Sequence, residues 1–386
     1  MAQIATTIGQ QNVAMLGVGA YRPRRLITND ELCQTTDEWI YERSGIRARR
    51  WISGDETNRT MSVSAGERAI VNSGIDRSKI DCVILATSTW PTITPHGAPS
   101  VAYDLGINGV PAFDLVSGCG GFCYGVSVAS ALINAGSATN VLLIGAETMS
   151  LSLDVTSRST AFLFGDGAGA VVIGPAAENG ISPTVWGSDG ENASAIGQTI
   201  NIPDFINPEI KDKPRMFLTM EGQRVFRWAA ITLRENMGFG LKVFGANAAE
   251  IDKKVRAAAD ILQLTPLLDR LPKALSGALD LAGMHPEDIE VFIPHQANAR
   301  INDLMKKNLG LPDTVPVAGD IEFTGNTSAA SIPLAMEEML ATGKAKGGQT
   351  ALMLGFGAGL SYAAQVVTLP PAPKVTSLDD RSIPGT

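Results

Sequence analysis

Three short segments carry side chains of the types that form and use an acyl-thioester. Cys119 lies among glycines in Ser117-Gly-Cys-Gly-Gly121, His295 in Pro294-His-Gln-Ala-Asn298, and Asn326 in Gly325-Asn-Thr-Ser-Ala-Ala330. A cysteine thiolate is a nucleophile that forms covalent acyl intermediates. An imidazole and an amide donate hydrogen bonds to a carbonyl oxygen on which charge develops. Together these groups suit acyl transfer through a cysteine, followed by carbon–carbon bond formation.

Two of these groups are predicted to lie at the starts of helices. Cys119 follows the strand-like stretch 112–116 and begins a helical pattern that runs to about Ala135. Asn326 precedes the helical stretch 331–342. A helix N-terminus presents unpaired N–H groups and the positive end of the helix dipole. We therefore expect this position to lower the pKa of the Cys119 thiol.

The sequence also repeats itself in outline. The stretch 74–85 has a counterpart at 283–293, because in both a helical pattern ends at a glycine, an isoleucine follows six positions later and a buried strand begins. The glycine-rich stretch 165–169 has a counterpart at 355–359, in the same order along the chain. The repeats predict a duplicated α/β unit, with mixed sheets layered between helices.

This duplication divides the chain into two halves. The first, 12–185, carries the cysteine, and the second, 186–369, carries the histidine and the asparagine. A stretch at about 233–269 has no counterpart, and a surface insertion is favoured there over a lid or a dimer contact. Residues 370–386 contain prolines and serines but few large apolar side chains, so they are predicted to form a flexible tail.

Composition excludes several classes of protein. The chain has 386 residues, 45% of them hydrophobic, which suffices for a large core. A net charge of −8 argues against binding nucleic acid. No basic leader and no apolar run of about 18 residues is present, so we expect no secretion and no membrane span. Four cysteines do not form a disulfide framework or a metal-ligand cluster. A cytoplasmic protein without a metal is therefore expected.

The three segments together resemble the β-ketoacyl-acyl-carrier-protein synthase III family, a branch of the thiolase superfamily. The resemblance runs from about Val13 to about Val367, and it is strongest to the actinobacterial, mycobacterial-type members. It implies a thiolase-like fold and a homodimer. It also implies that Cys119 carries the acyl group while His295 and Asn326 hold the oxygen of an enolate. Cysteine, histidine and asparagine mark the initiating class, since biosynthetic thiolases use a second cysteine and chain-elongating synthases two histidines.

The activity that this resemblance implies is a decarboxylative Claisen condensation. An acyl-CoA primer acylates the cysteine, and malonyl-acyl-carrier protein then loses carbon dioxide and extends the primer, which initiates fatty acid synthesis. No cofactor is implied beyond the coenzyme A thioester that serves as substrate. Two alternatives remain open: a same-fold acyltransferase that acts on a natural-product hydroxyl or amine, and a non-catalytic partner subunit. The presence of the cysteine weighs against the partner subunit.

The resemblance also assigns an oxyanion hole and a coenzyme A site. The oxyanion hole uses the backbone N–H groups of Cys119 and Ala358. Family members often have three glycines at this place, so Ala358 keeps the role if its backbone conformation suits alanine. Stacking on an aromatic ring and a guanidinium is apt for adenine. The coenzyme A contacts are Trp39 and Arg158 at the adenine, Arg43 at a phosphate and Asn298 at the pantetheine arm.

Two further predictions concern the acyl pocket and the carrier protein. Thr94 occupies the position that reaches into the acyl pocket of the partner subunit, where short-chain members carry a bulky aromatic residue. Threonine leaves room for a medium or long primer, and each buried methylene contributes about 0.8 kcal/mol. A basic surface is expected to steer the acidic carrier protein, although such helix faces are commonly just solvated. Its residues are Arg300, Lys306 and Lys307.

Overall fold

The computed structural model describes residues 9, 12–32, 35–225 and 270–378. The predicted insertion at 233–269 lies outside these residues. Among the described residues, no helix combines the length and the apolar character needed to cross a bilayer. Within the same residues, no group of His, Cys, Asp and Glu is placed to hold a metal ion.

The first half builds a five-stranded mixed sheet with the strand order β1-β7-β6-β4-β5. β4 is parallel to β5 and β6, whereas β7 is antiparallel to β6 and β1. Strands β4 and β6 are buried along their whole length because helices cover both faces of the sheet. The elements are β1 Val13–Tyr21, β2 Arg25–Thr28, α1 Asp37–Ser44, β3 Ala48–Trp51, α2 Asn58–Ser73, β4 Cys82–Ala86, α3 Gly97–Asp104, β5 Ala112–Leu115, α4 Gly121–Asn134, β6 Val141–Thr148 and β7 Asp166–Pro175.

The second half builds a four-stranded sheet with the order β11-β12-β13-β8. Its pairings repeat the succession of β4, β6, β7 and β1, since β11 is parallel to β12 and the next two pairings are antiparallel. This is the arrangement that a duplicated unit produces. The elements are β8 Val185–Ser188, β9 Ile196–Gln198, α5 Ile202–Ile206, β10 Leu218–Met220, α6 Arg270–Ala282, β11 Val291–Pro294, α7 Ala299–Asn308, α8 Ile321–Thr324, α9 Ser331–Ala341, β12 Thr350–Gly357 and β13 Ser361–Thr368.

Two helices occupy the layer between the sheets. Phe122 and Val126 of α4 and Met336 and Met339 of α9 are buried in one core with side chains of both sheets. Helices α2 and α3 cover the outer face of the first sheet, and α6 and α7 cover that of the second. Each central helix is preceded by a short 3-10 turn, at Gly118–Gly120 and Ser328–Ala330. The first turn contains Cys119, and Asn326 lies just before the second, so both side chains reach the interior.

The start of the predicted flexible tail is packed against the core. Asn72 accepts hydrogen bonds from the backbone N–H groups of Lys374 and Val375 at 2.9 and 3.0 Å. Glu337 of α9 accepts one from the N–H of Ser377 at 2.8 Å and also pairs with the buried Arg22 at 2.7 Å. Buried polar groups of the core thus hold Lys374, Val375 and Ser377 by hydrogen bonds, whereas the flexible tail itself stays a prediction. Residues 379–386 lie outside the described residues.

Candidate active site

Cys119, His295 and Asn326 line one cavity of about 410 Å³. Cys119 lies in the 3-10 turn before α4, His295 follows the last residue of β11, and Asn326 precedes the turn before α9. The cavity therefore sits where the two halves meet, and its wall is predominantly apolar. The side chains that form the apolar wall include Phe162, Phe164, Ile196, Leu218, Met220 and Phe356.

Two backbone N–H groups converge on the Cys119 thiol, its own and that of Ala358. The segment that carries Ala358 approaches the turn at Cys119 closely. This approach requires glycine at 357, since a Cβ there would lie 2.9 Å from the Cys119 Sγ. Among the described non-glycine residues, positive φ angles occur at Asp212 and Ser328, so Ala358 adopts a conformation that alanine accepts. The oxyanion hole built from these two amides stays a prediction, and the close approach at Gly357 is compatible with it.

The thiol of Cys119 is not acidified by its place before a helix. Burial raises its pKa to about 11, with the Glu147 carboxylate acting in the same direction. The Ser328 hydroxyl and the two amide N–H groups act in the opposite direction but do not compensate. The expectation of a lowered pKa is therefore wrong. The resting group is a neutral thiol, and its proton has to leave as the sulfur attacks.

His295 is a neutral imidazole held by one hydrogen bond. Its Nδ1 lies 2.7 Å from the Ser331 Oγ, which also accepts from the backbone N–H of Gln296 at 3.3 Å. This second bond leaves the Ser331 hydroxyl hydrogen free to donate to Nδ1, which favours the tautomer protonated at Nε2. Burial lowers the pKa of His295 to about 3, so the ring stays uncharged. A neutral N–H donor results.

Asn326 is fixed so that its amide nitrogen is the remaining donor. Its Oδ1 accepts from the backbone N–H of Ser328 at 2.9 Å. Its own backbone N–H donates to the Leu163 carbonyl at 2.7 Å, and its carbonyl accepts from Gly165 at 3.0 Å. The side chain is buried, with 5% of the residue exposed. The Nδ2 group therefore supplies a donor that cannot become charged.

The predicted coenzyme A contacts lie together. The guanidinium carbon of Arg43 is 4.3 Å from the ring centroid of Trp39, and that of Arg158 is 5.8 Å from it. Arg43 and Asn298 also line the cavity. Asn298 caps α7 by accepting from the Arg300 N–H at 2.8 Å, and it donates to the Arg43 carbonyl at 2.9 Å. Trp39 and the two arginines thus form a cationic, aromatic cluster beside the cavity.

The predicted docking residues are partly engaged within the chain. Arg300 donates to two carbonyls at the end of α1, each at 3.0 Å. Lys306 donates to the carbonyls of Asp313 and Val315 at 2.9 and 2.7 Å. Lys307 is exposed. Thr94 is also exposed and lies outside the lining of the cavity in its own subunit.

Comparison with known proteins identifies the family. Residues 113–190 match the description "3-oxoacyl-[acyl-carrier-protein (ACP)] synthase III", and residues 279–369 match that of its C-terminal part. The chain is 48% identical over 376 residues to β-ketoacyl-[acyl-carrier-protein] synthase III of Mycobacteroides abscessus, covering 97% of this chain and 99% of the relative. The chain belongs to the β-ketoacyl-acyl-carrier-protein synthase III family.

Further relatives of this synthase III family agree with the assignment. A mycobacterial β-ketoacyl-[acyl-carrier-protein] synthase III of Mycolicibacterium paratuberculosis is 48% identical and covers 96% of this chain and all of the relative. The crystal structure of a priming β-ketosynthase from a polyketide biosynthetic pathway has a TM-score of 0.83 at 38% identity, covering 96% of this chain and 100% of that one. The Aquifex aeolicus synthase III has a TM-score of 0.75 at 31% identity, over 92% of this chain and 100% of that one. The thiolase-like fold expected from the sequence is thus confirmed.

Sequence reasoning did not single out Glu147, Ser328 or Ser331. Ser331 holds the imidazole of His295, whereas Ser328 contacts both Cys119 and Glu147. A signal for Glu147 was present, since it is the one charged residue of strand β6, Val141-Leu-Leu-Ile-Gly-Ala-Glu-Thr148. Charged side chains are rarely buried without a role or a partner.

Gly357→Ala is expected to lower the rate of Cys119 acylation by about 10²-fold, the usual effect of losing one oxyanion donor. The added Cβ would meet the Cys119 Cβ at 2.7 Å and Sγ at 2.9 Å, so the loop that carries Ala358 must move away. Single-turnover acylation followed by intact-mass measurement gives the rate. Gly319→Ala is the matched control, because nothing lies within 4 Å of its new Cβ. Equal rates in both variants would contradict the proposed oxyanion hole.

Proposed function

We propose that the chain condenses an acyl-CoA primer with malonyl-acyl-carrier protein through an acyl group on Cys119. The observation that carries this proposal is the presence of two separate donor sets in one apolar cavity. One set is the pair of backbone N–H groups at Cys119 and Ala358, and the other is the neutral side-chain pair of His295 and Asn326. Two donor sets suit two successive carbonyl reactions, acyl transfer and condensation.

In the first half-reaction, the Cys119 sulfur attacks the thioester carbonyl of acyl-CoA. A carbon–sulfur bond forms, and the negative oxygen accepts from the N–H groups of Cys119 and Ala358. The intermediate collapses with cleavage of the bond to the coenzyme A sulfur. The leaving thiolate takes up the proton that Cys119 gave, so free coenzyme A departs and the acyl group stays on the protein.

In the second half-reaction, the thioester oxygen of malonyl-acyl-carrier protein accepts from His295 and Asn326. Carbon dioxide leaves, and the electron pair of the broken bond moves into an enolate held by these two donors. Since burial lowers the pKa of His295 to about 3, the ring is uncharged at neutral pH and donates to the enolate oxygen as a neutral N–H group. The enolate carbon attacks the acyl group, and the bond to the Cys119 sulfur breaks. The Cys119 thiolate takes up a proton from solvent to restore the thiol, and a β-ketoacyl-carrier protein is released.

A homodimer is the proposed assembly, and it is formed across β5. This strand is one of the two edges of the five-stranded sheet, and apolar side chains near it are exposed: Val116 at 75%, Ile93 at 70% and Phe113 at 36%. An uncovered apolar edge strand favours association. Thr94 follows Ile93 on the same exposed loop. A second copy at this edge therefore supports the proposal that Thr94 reaches the acyl pocket of the partner subunit.

Coenzyme A is proposed to bind at the cluster of Trp39, Arg43 and Arg158, with Asn298 at the pantetheine arm. The stacked ring and two guanidinium groups supply a flat surface and positive charge for adenine and phosphate. Carrier-protein docking is best supported for Lys307, because Arg300 and Lys306 already donate hydrogen bonds to backbone carbonyls.

The mass of the intact protein tests the proposed function directly. Mixing with an acyl-CoA should add the mass of one acyl group, and adding malonyl-acyl-carrier protein should remove it with release of carbon dioxide. An acyl group that persists after malonyl-acyl-carrier protein, yet moves to a hydroxyl or amine acceptor, would contradict condensation and favour an acyltransferase.

Thr94→Phe is expected to lower kcat/KM for lauroyl-CoA while leaving that for acetyl-CoA nearly unchanged. The ring would fill the space that threonine leaves, and each methylene denied burial costs about 0.8 kcal/mol. The wild type is expected to prefer octanoyl- or lauroyl-CoA. A wild type that strongly prefers acetyl-CoA, or a variant that uses lauroyl-CoA unchanged, would defeat the proposal of a medium or long primer.

A further inference from the structure

Glu147 is a fully buried carboxylate that the two half-reactions leave unexplained. It lies on β6 with 0% of the residue exposed, and within the described part of the chain no salt bridge reaches it. Its oxygens accept instead from neutral groups: the Thr89 Oγ1 at 2.5 Å, the Ser88 N–H at 3.1 Å, the Thr87 Oγ1 at 3.3 Å and the Ser328 Oγ at 3.0 Å. Burying such a group is costly, so a role is expected for it.

Ser328 connects this carboxylate to the nucleophile. Its hydroxyl donates to Glu147 at 3.0 Å, and Ser328 lines the same cavity as Cys119, where the hydroxyl acts to lower the pKa of the thiol. Ser328 has a φ of 49°, a left-handed conformation that side chains other than glycine rarely adopt. Strained backbone of this kind clusters at functional sites. The chain thus holds a hydroxyl in an unfavourable conformation between a thiol and a carboxylate.

His295 is a poor acceptor for the thiol proton. Burial lowers its pKa to about 3, so the ring is a very weak base in either tautomer. Burial raises the pKa of Glu147 to about 7, which is near the value at which a general base works best at neutral pH. Of the two titratable groups beside Cys119, the carboxylate is therefore the better base.

We propose that Glu147 accepts the Cys119 proton through the Ser328 hydroxyl during acylation and returns it to the departing coenzyme A thiolate. As the sulfur–carbon bond forms, the thiol proton moves to the Ser328 oxygen while the Ser328 proton moves to Glu147. When the bond to the coenzyme A sulfur breaks, the Glu147 proton moves to the Ser328 oxygen while the Ser328 proton moves to the coenzyme A thiolate, so no proton is gained or lost. The return step rests on the proposed function, whereas the first transfer does not.

The surroundings leave few other groups that titrate against Glu147. Cys119 and His295 face the same cavity. On the neighbouring strand β7, the carboxylate of Asp166 is directed away, toward the Ser150 hydroxyl and the Ile52 N–H. The segment after β4 contributes Thr87, Ser88 and Thr89, and the turn before α9 contributes Ser328 and alanines, none of which titrates in this range.

The test measures alkylation of Cys119 by iodoacetamide, located by peptide mapping, from about pH 5 to about pH 10. In the wild type the rate should rise as Glu147 ionises, near pH 7, and then level off. Glu147→Gln should react about 10²-fold more slowly at neutral pH, the usual contribution of a general base. Its rate should then rise about tenfold per pH unit, because only the thiolate fraction reacts.

Ser328→Gly provides an independent variant, since glycine adopts positive φ without strain and lacks the hydroxymethyl side chain. It should show the same slow, steadily rising profile as Glu147→Gln, and Glu147→Asp should restore part of the wild-type profile. Asp166→Asn is the matched control, a buried carboxylate on the next strand whose loss should leave the shape of the profile unchanged.

If Glu147 acted only through its charge, Glu147→Gln would raise the alkylation rate of Cys119 instead of lowering it. The negative charge of Glu147 contributes to the raised pKa of Cys119, so removing the charge would then make the thiol more reactive at neutral pH. Alkylation of Glu147→Gln or Ser328→Gly as fast as in the wild type, or faster, overturns the relay. Failure of every acyl-CoA to acylate the wild type would overturn the proposed function alone, because the alkylation profile decides the relay without it.

Discussion

Replacing Cys119 by alanine is expected to abolish the acyl adduct that forms with acyl-CoA. The cavity then contains no thiol among the described residues, because the other two described cysteines, Cys82 and Cys123, are buried elsewhere in the fold. Neither of these thiols lines the cavity. Condensation should fall by at least about 10³-fold, as for the loss of other covalent nucleophiles. Intact-mass measurement and product formation report the two effects.

Cys123→Ala serves as the control for the same chemistry. Cys123 is one helical turn beyond Cys119, and its side chain packs in the central core. The adduct should form on this variant with wild-type stoichiometry. An adduct that persists on Cys119→Ala, at Cys123 or elsewhere, would show that the nucleophile is wrongly assigned.

His295→Ala and Asn326→Ala are each expected to keep acyl loading and to lose condensation by about 10²- to 10³-fold. Each removes one of the two donors that hold the enolate oxygen, and a donor of this kind contributes about 2.7–4 kcal/mol. Loading is followed by intact mass, and decarboxylation by release of carbon dioxide from malonyl-acyl-carrier protein. The separation of the two effects is the informative result.

His285→Ala controls for the loss of an imidazole outside the cavity, since His285 lies exposed before a 3-10 turn. It should load and condense at wild-type rates. Should His295→Ala or Asn326→Ala condense at nearly the wild-type rate, the enolate role of that residue must be abandoned. Loss of loading in the same variants would place the residue in the first half-reaction instead.

The sequence predicted the fold class well because local patterns are strong in this chain. Buried strands are uninterrupted apolar runs, and glycines mark helix ends, as at Gly74 and Gly283, which both adopt positive φ. The spacing of Cys119 and Asn326 along the chain does not show that they line one cavity. Their convergence follows from a duplication that places both of their turns at the centre of the fold.

Properties that depend on tertiary burial were not predictable in the same way. The helix before which Cys119 lies is visible in the sequence, but the desolvation that raises its pKa is not. The contacts of Arg300 with two carbonyls at the end of α1 are not visible in the sequence, because these carbonyls lie 258 and 259 residues away along the chain. The same holds for the hydrogen bonds of Lys374 and Ser377 to Asn72 and Glu337.

The matching 3-10 turns, Gly118–Gly120 and Ser328–Ala330, have a consequence for how such an enzyme diversifies. They occupy equivalent places in the two halves and lie in contact, and a Cβ at Gly121, directly after the first turn, would lie 3.5 Å from that of Ala329. Two identical turns here would set two nucleophiles against one acyl group. The halves instead differ. In the proposed function, the first copy supplies the nucleophile Cys119, and the second supplies Asn326, which donates to the enolate oxygen. Substitutions in the second copy can therefore redirect what is done with the acyl group, while the first copy continues to capture it.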